Sequence, residues 1–94
     1  MDFYEQNATI LKTISHPVRI KILNELITKE KCNVTQLVAL LKLPQSTVSQ
    51  HLGKMKAQSI VVNKRQGLEV YYSSENPMIN AIVKILLAQQ PHSK

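Results

Sequence analysis

Residues 33–57 read NVTQLVALLKLPQSTVSQHLGKMKA, and this stretch predicts two short helices separated by a tight turn. Asn33 and Gln36 have the spacing of a capping box, which marks the start of the first helix. Leu43-Pro44 ends that helix, because the residue before a proline disfavours helical geometry. The second helix is expected over residues 45–57. Two short helices joined by a turn of about three or four residues predict a helix-turn-helix.

The chain on the N-terminal side of this unit predicts two further helices. Residues 3–14 form a loosely amphipathic helix, which Ser15-His16-Pro17 ends. Serine before a proline is typical of a helix start, so a new helix is expected from there to about Thr28. Its apolar residues cover much of its circumference, which indicates a central position in the fold.

The pattern changes period after residue 57. Residues 60–62 and 68–72 are β-branched and aromatic runs, and the turn residues 63–67 between them predict a β-hairpin with a basic tip. Asn76-Pro77 then starts a strongly apolar last helix over about residues 77–89. The expected fold is mainly α with one β-hairpin, in the order of four helices, two strands and a fifth helix. We interpret this order as a single winged helix-turn-helix domain over residues 1–94.

Charge indicates the kind of partner. The chain has 12 Lys and Arg against 6 Asp and Glu, a net charge of +6, which favours a polyanion. From Lys31 to Leu68 there are six basic residues and no acidic one. A solvated lysine-rich surface is the plainer alternative, but it does not explain why a contiguous third of the chain lacks acids. Double-stranded DNA is therefore the expected partner.

The helix over residues 45–57 is the expected reading element. Val48, Leu52 and Met55 recur at helical spacing and define its buried stripe. The opposite face is polar, short-chained and free of acids, which suits a major groove, although a solvated face is the alternative. The two lysines near its end fit either phosphate contact or the helix dipole. The predicted DNA-contacting residues are Gln45, Ser46, Thr47, Ser49, Gln50, Lys54 and Lys56, with Lys64 and Arg65 on the hairpin.

Catalytic, metal and membrane functions have little support in the sequence. There is no phosphate-binding loop or nucleophile motif, so an enzyme is not expected. Cys32 has no cysteine partner and no two histidines share a helix at ligand spacing, so neither a metal nor another cofactor is predicted. No signal segment or long apolar run is present, and we expect a cytoplasmic protein without membrane contact.

Cys32 is nevertheless a candidate redox residue. It precedes a predicted helix start and lies beside Lys29 and Lys31, features that lower the pKa of a thiol. A half-buried small side chain is the alternative interpretation. The sequence names no small-molecule effector, so a thiol-gated or effector-gated regulator stays an open alternative.

Three blocks of sequence resemble the ArsR/SmtB family of winged-helix repressors. They are HPVRIKIL at 16–23, LPQSTVSQHL at 43–52 and RQGLEVYYS at 65–73, in the family's order and spacing. The Cys-x-Cys motif of metal-sensing members is missing from residues 33–41, so the resemblance is to the metal-free branch. It implies base contacts from Ser46, Thr47, Ser49 and Gln50, and a hairpin turn at 63–67 on the DNA backbone or minor groove.

The same resemblance implies a homodimer built on the first and last helices that represses transcription from a two-fold operator. The strongly apolar last helix agrees with this, since it offers more hydrophobic surface than a small monomer should expose. The residues expected at the dimer contact are Phe3, Ile10, Leu11, Ile79, Ile82, Val83 and Leu86. A winged-helix module that binds another protein rather than DNA is the competing hypothesis.

Overall fold

The computed structural model describes residues 2–89, so Met1 and residues 90–94 of the predicted domain lie outside the described residues. Across residues 2–89 the chain forms five helices and one two-stranded antiparallel sheet. The order confirms the predicted winged helix-turn-helix. The elements are α1 (Phe3–Ile14), α2 (Pro17–Lys29), α3 (Val34–Leu41), α4 (Gln45–Ala57), β1 (Val62–Gln66), β2 (Glu69–Ser73) and α5 (Pro77–Ala88).

Side-chain caps mark the starts of four of the five helices in residues 2–89, and α4 begins after Pro44 without one. Asn33 accepts a hydrogen bond from the backbone N–H of Gln36, and the Gln36 side chain accepts one from the backbone N–H of Asn33, so the predicted capping box of α3 is confirmed. The Asn76 side chain caps α5, and a proline occupies the first turn. The cap of α2 is His16, whose Nδ1 accepts from Val18 N at 3.1 Å. The helices therefore begin where the sequence placed them, although the cap of α2 is His16 and not the predicted serine.

The hydrophobic core draws on every helix and on the segment before the hairpin. Its buried apolar residues are Ile14, Ile22, Leu23, Leu26, Cys32, Leu37, Val48, Leu52, Met55, Ile60, Val61, Ile79 and Val83. Ile79 and Val83 have no exposed surface, because both pack within this core. Their assignment to the dimer contact is corrected accordingly: a fully buried side chain has no surface left for a partner.

The hairpin differs from its prediction. Its first strand is Val62–Gln66, and the turn between the strands is Gly67-Leu68. Gly67 has a φ of +64°, a positive value that glycine adopts without strain and that two-residue hairpin turns need at their first central position. Ile60 and Val61, which were predicted to belong to the first strand, are core residues that precede it. The predicted basic turn at 63–67 is also wrong, because most of that segment pairs with β2. We call residues 62–73 the wing.

The wing is attached to the rest of the fold through the connection between α2 and α3. Cys32 and Tyr72 exchange two backbone hydrogen bonds, of 3.0 Å from Cys32 N and 2.8 Å from Tyr72 N. The Tyr72 side chain packs against the core. The wing is thus fixed at its base, next to the start of the helix-turn-helix. Within residues 2–89, no helix has the length and apolar character needed to cross a membrane.

Candidate nucleic-acid interface

The outward face of α4 is polar and solvent-exposed. Val48, Leu52 and Met55 are completely buried, which confirms the predicted inner stripe of this helix. Six of the seven predicted DNA-contacting residues on α4 are exposed, and Thr47 is half-buried. The exposed six are Gln45, Ser46, Ser49, Gln50, Lys54 and Lys56. No acidic side chain belongs to this helix, so the whole face is suited to an anionic surface.

A polar cluster anchors α4 against the two N-terminal helices. Arg19 Nε donates to His51 Nδ1 at 3.0 Å, and a terminal nitrogen of Arg19 donates to the carbonyl oxygen of Thr13 at 2.8 Å. The ring centroids of His16 and His51 are 4.6 Å apart. Burial lowers the pKa of His51, and electrostatic interactions with His16, Arg19 and Lys54 lower it further. His51 therefore packs inward as a neutral hydrogen-bond acceptor.

The sequence alone did not reveal the partner of this histidine. Arg19 and His51 are 32 positions apart, so no local pattern connects them. Arg19 links the end of α1, the start of α2 and the middle of α4. It positions the predicted reading helix without being part of the exposed face.

Lys64 and Arg65 are exposed neighbours on β1. Lys64 is paired with Tyr71 and Arg65 with Val70 across the hairpin. Because successive side chains of a strand point to opposite faces, the two cations lie on opposite faces of the wing. The wing therefore presents positive charge on both sides of its ribbon rather than at its tip.

A short segment before α3 holds the two strands of the wing together near the turn. Lys31 Nζ donates to Gln66 Oε1 at 2.7 Å and lies 4.8 Å from the centroid of the Tyr71 ring. Asn33 Nδ2 donates to Glu69 Oε1 at 3.2 Å. Both links cross more than 30 positions in sequence, and neither was anticipated from the chain alone. They tie the orientation of the wing to the start of α3.

Cys32 does not have the environment that was expected of a reactive thiol. Its side chain is fully buried in the core. Burial raises the pKa of the Cys32 thiol, and this effect outweighs the lowering by Lys29. The prediction of a lowered thiol pKa is therefore wrong, because proximity to lysines in sequence did not account for desolvation. Among residues 2–89 there is also no group of three or more His, Cys, Asp or Glu residues that could hold a metal ion.

The helices at the two ends of the described chain expose apolar side chains. Of the residues expected at a dimer contact, Phe3, Leu11 and Leu86 are exposed and Ile10 and Ile82 are half-buried. An apolar cleft of about 140 Å³ lies between α1 and α5 and is lined by Asn7, Ile10, Leu11, Met78 and Ile82. Met78 and Ile85 are also exposed but were not assigned to the contact. The pattern could have found them, since they belong to the same strongly apolar helix.

Comparison with known proteins identifies the family. The model of the arsR family of bacterial regulatory proteins matches residues 16–62, the stretch from the start of α2 to the start of the wing. The chain belongs to the ArsR family. It is 54% identical over 82 residues to the transcriptional repressor PagR of Bacillus anthracis, covering 87% of this chain and 82% of PagR. It is 34% identical over 82 residues to the regulator YgaV of Escherichia coli K12, covering 87% and 83% of the two chains.

Solved structures agree with this assignment. The crystal structure of PagR matches with a TM-score of 0.83 at 53% identity, covering 88% of this chain and 94% of PagR. HlyU from Vibrio cholerae matches with a TM-score of 0.84 at 25% identity, covering 94% and 96%. The chain is therefore a DNA-binding transcription regulator of the PagR and HlyU branch. The relatives are regulators of transcription, a class of proteins that are not enzymes.

Proposed function

We propose that this protein is a homodimeric, non-enzymatic repressor that binds a two-fold operator in double-stranded DNA in the bacterial cytoplasm. In this proposal α4 of each protomer lies in a major groove and each wing lies along the backbone or minor groove. The observation that carries the proposal is the outward face of α4, which is exposed and acid-free above a fully buried apolar stripe. The similarity to the repressor PagR supports the sign of the regulation.

The residues of this face have the chemistry needed to read base edges. Gln50 carries an amide that pairs bidentately with adenine in the major groove. Ser46, Thr47 and Ser49 carry hydroxyl groups that bond either bases or phosphates. Lys54 lies in the last turn of α4, where its charge complements the helix dipole and meets a phosphate. This arrangement assigns base selection to the start and middle of the helix and backbone contact to its end.

The proposed dimer brings together the exposed apolar residues of α1 and α5. Phe3, Leu11 and Leu86 would be covered by the partner, and Ile10 and Ile82 would line the seam at the cleft between the two helices. Burial of such side chains is a favourable and non-directional source of association energy. A two-fold dimer presents two copies of α4 to successive major grooves, about 34 Å apart along the duplex. The two-fold symmetry of such a dimer calls for an operator with the same symmetry.

Selection of bound duplexes from a random library tests the proposal directly. We expect a two-fold consensus whose half-sites have centres about 10 base pairs apart. Gln50→Ala should relax the preference at one adenine-containing position in each half-site. Gln58→Ala removes an exposed glutamine just beyond the end of α4 and should leave the consensus unchanged. Loss of selectivity in both variants would contradict the assignment of base reading to Gln50.

Two further experiments test DNA binding and dimerisation separately. Failure of micromolar protein to retard any duplex at low salt would contradict DNA binding and favour the competing hypothesis of a protein-interaction module. Sedimentation of the free protein tests the dimer, and Leu86→Glu should yield monomers that keep their helical content because Leu86 is exposed on α5. A wild-type protein that sediments as a monomer on its operator would contradict the two-fold arrangement.

A further inference from the structure

The apex of the wing carries an unusually exposed apolar side chain. Leu68 is 94% exposed and occupies the second position of the two-residue turn, after Gly67. Single exposed leucines are common on protein surfaces, so exposure alone indicates nothing. The surroundings of Leu68 are what distinguish it.

The residues on either side of the turn are held back from the apex. The Gln66 side chain accepts a hydrogen bond from Lys31, and the Glu69 side chain accepts one from Asn33. Both donors lie in the segment before α3, away from the turn in sequence. Gly67 has no side chain, so Leu68 is the side chain left to project from the end of the wing.

The flanks of the wing are suited to the two sugar-phosphate strands of a duplex. Lys64 and Arg65 lie on opposite faces of the ribbon, so each can meet one wall of a minor groove that the wing enters edge-on. The acidic residue nearest the apex is Glu69, and its bond to Asn33 directs the carboxylate toward α3. The wing therefore combines cationic flanks with an apolar apex, which matches an anionic groove with a stack of bases at its floor.

We propose that Leu68 inserts between base pairs from the minor groove at each outer flank of the operator. This inference rests on the proposed DNA-binding function and adds a specificity-determining residue to it. Apolar side chains placed in a minor groove unstack base steps partially and kink the duplex. Pyrimidine–purine steps such as TA and CA unstack most easily, so Leu68 selects for such a step without a hydrogen bond to any base.

Fluorescence of a base analogue at the flank provides the test. Duplexes carrying the selected half-sites are labelled with 2-aminopurine at successive flanking positions, and binding of wild-type protein should raise the emission at one step on each side. Leu68→Ser should abolish this rise and weaken binding about tenfold, because the apolar insertion is lost. Leu68→Met keeps an apolar side chain, so it should retain both the fluorescence rise and the affinity of the wild-type protein. The salt dependence of binding should be the same for all three proteins, because Leu68 carries no charge.

Leu40→Ala is the matched control, since Leu40 is an exposed leucine on α3 and lies outside the proposed interface. It should leave affinity and fluorescence unchanged. Equal affinity and equal fluorescence for wild type and Leu68→Ser would refute insertion while leaving the proposed function intact. Failure of the wild-type protein itself to bind any selected duplex would overturn the proposed function, and the insertion with it. Urea unfolding checks that Leu68→Ser is folded, and we expect wild-type stability at so exposed a position.

Discussion

Replacing Arg65 by alanine should reduce the salt dependence of DNA binding by a defined amount. Each phosphate that a cation neutralises contributes a slope of about 0.9 in the logarithm of affinity against the logarithm of salt concentration. A dimer contains two copies of Arg65, so the slope should fall by about 1.8. Between 50 and 200 mM salt, the affinity ratio of wild type to variant should therefore shrink by about twelvefold.

The placement of the two wing cations extends this prediction. Lys64 and Arg65 lie on opposite faces of the ribbon, so in the proposed complex each is expected to meet a different sugar-phosphate strand. Lys64→Ala should produce a similar decrease in slope, and the double variant should combine the two decreases because distant phosphate contacts act independently. All three variants should weaken binding to every sequence alike, since phosphate contacts carry no base preference.

Fluorescence anisotropy titrations over a salt series measure these slopes. Lys29→Ala is the matched control: it makes the same change in net charge, but Lys29 is paired with Glu25 at 2.7 Å on α2 and is outside the proposed interface. Its slope should equal that of wild type. If Lys29→Ala and Arg65→Ala lower the slope equally, only overall charge matters and the placement of the wing is wrong. An unchanged slope in Arg65→Ala would lead to the same conclusion.

Three predictions concern stability and are measured by urea unfolding. Ile79→Ala should lose about 2–5 kcal/mol, because Ile79 is fully buried and its truncation leaves a cavity; a near-zero change would place Ile79 outside the core. Asn33→Ala should lose about 1 kcal/mol with the cap of α3, and the neighbouring exposed Thr35→Ala should not. Stability should fall as pH drops below 6.5, because the depressed pKa of His51 means that the unfolded chain binds its proton first. His51→Gln, which still accepts from Arg19, should flatten that part of the pH profile; an unchanged profile would remove His51 as its source.

The helical part of the fold follows closely from local signals. The capping box at Asn33 and the stripe of Val48, Leu52 and Met55 are short-range patterns, and the structure has each helix within a residue or two of its predicted bounds. Such signals succeed because caps and helical periodicity depend on residues only three or four positions apart.

The wing was harder to predict because the residue types in β1 do not favour the strand that they form. Asn63 and Lys64 are residue types depleted in strands, yet residues 63–66 pair with the β-branched and aromatic residues of β2 and form a strand. The register is set instead by the two-residue turn at Gly67-Leu68. Residues 60 and 61 have strong strand propensity but serve the core. Core packing therefore overrode strand propensity just before β1, and pairing with β2 overrode the low strand propensity within it.

The last helix illustrates a second limit. Its apolar residues surround most of its circumference, so periodicity could not separate the stripe that faces the core from the surface left for a partner. The structure assigns Ile79 and Val83 to the core and leaves Met78, Ile85 and Leu86 exposed. The prediction of a lowered pKa for the Cys32 thiol was wrong for a related reason, since desolvation depends on neighbours distant in sequence.

The three consecutive residues Lys31, Cys32 and Asn33 each bond to the wing, and Asn33 also caps α3. The start of the helix-turn-helix therefore cannot tilt without carrying the hairpin along. In the proposed dimer, the helix-turn-helix and the wing of each protomer would therefore move together as one rigid unit. A signal that changes DNA affinity would have to act at the dimer contact, by changing the angle between the two protomers.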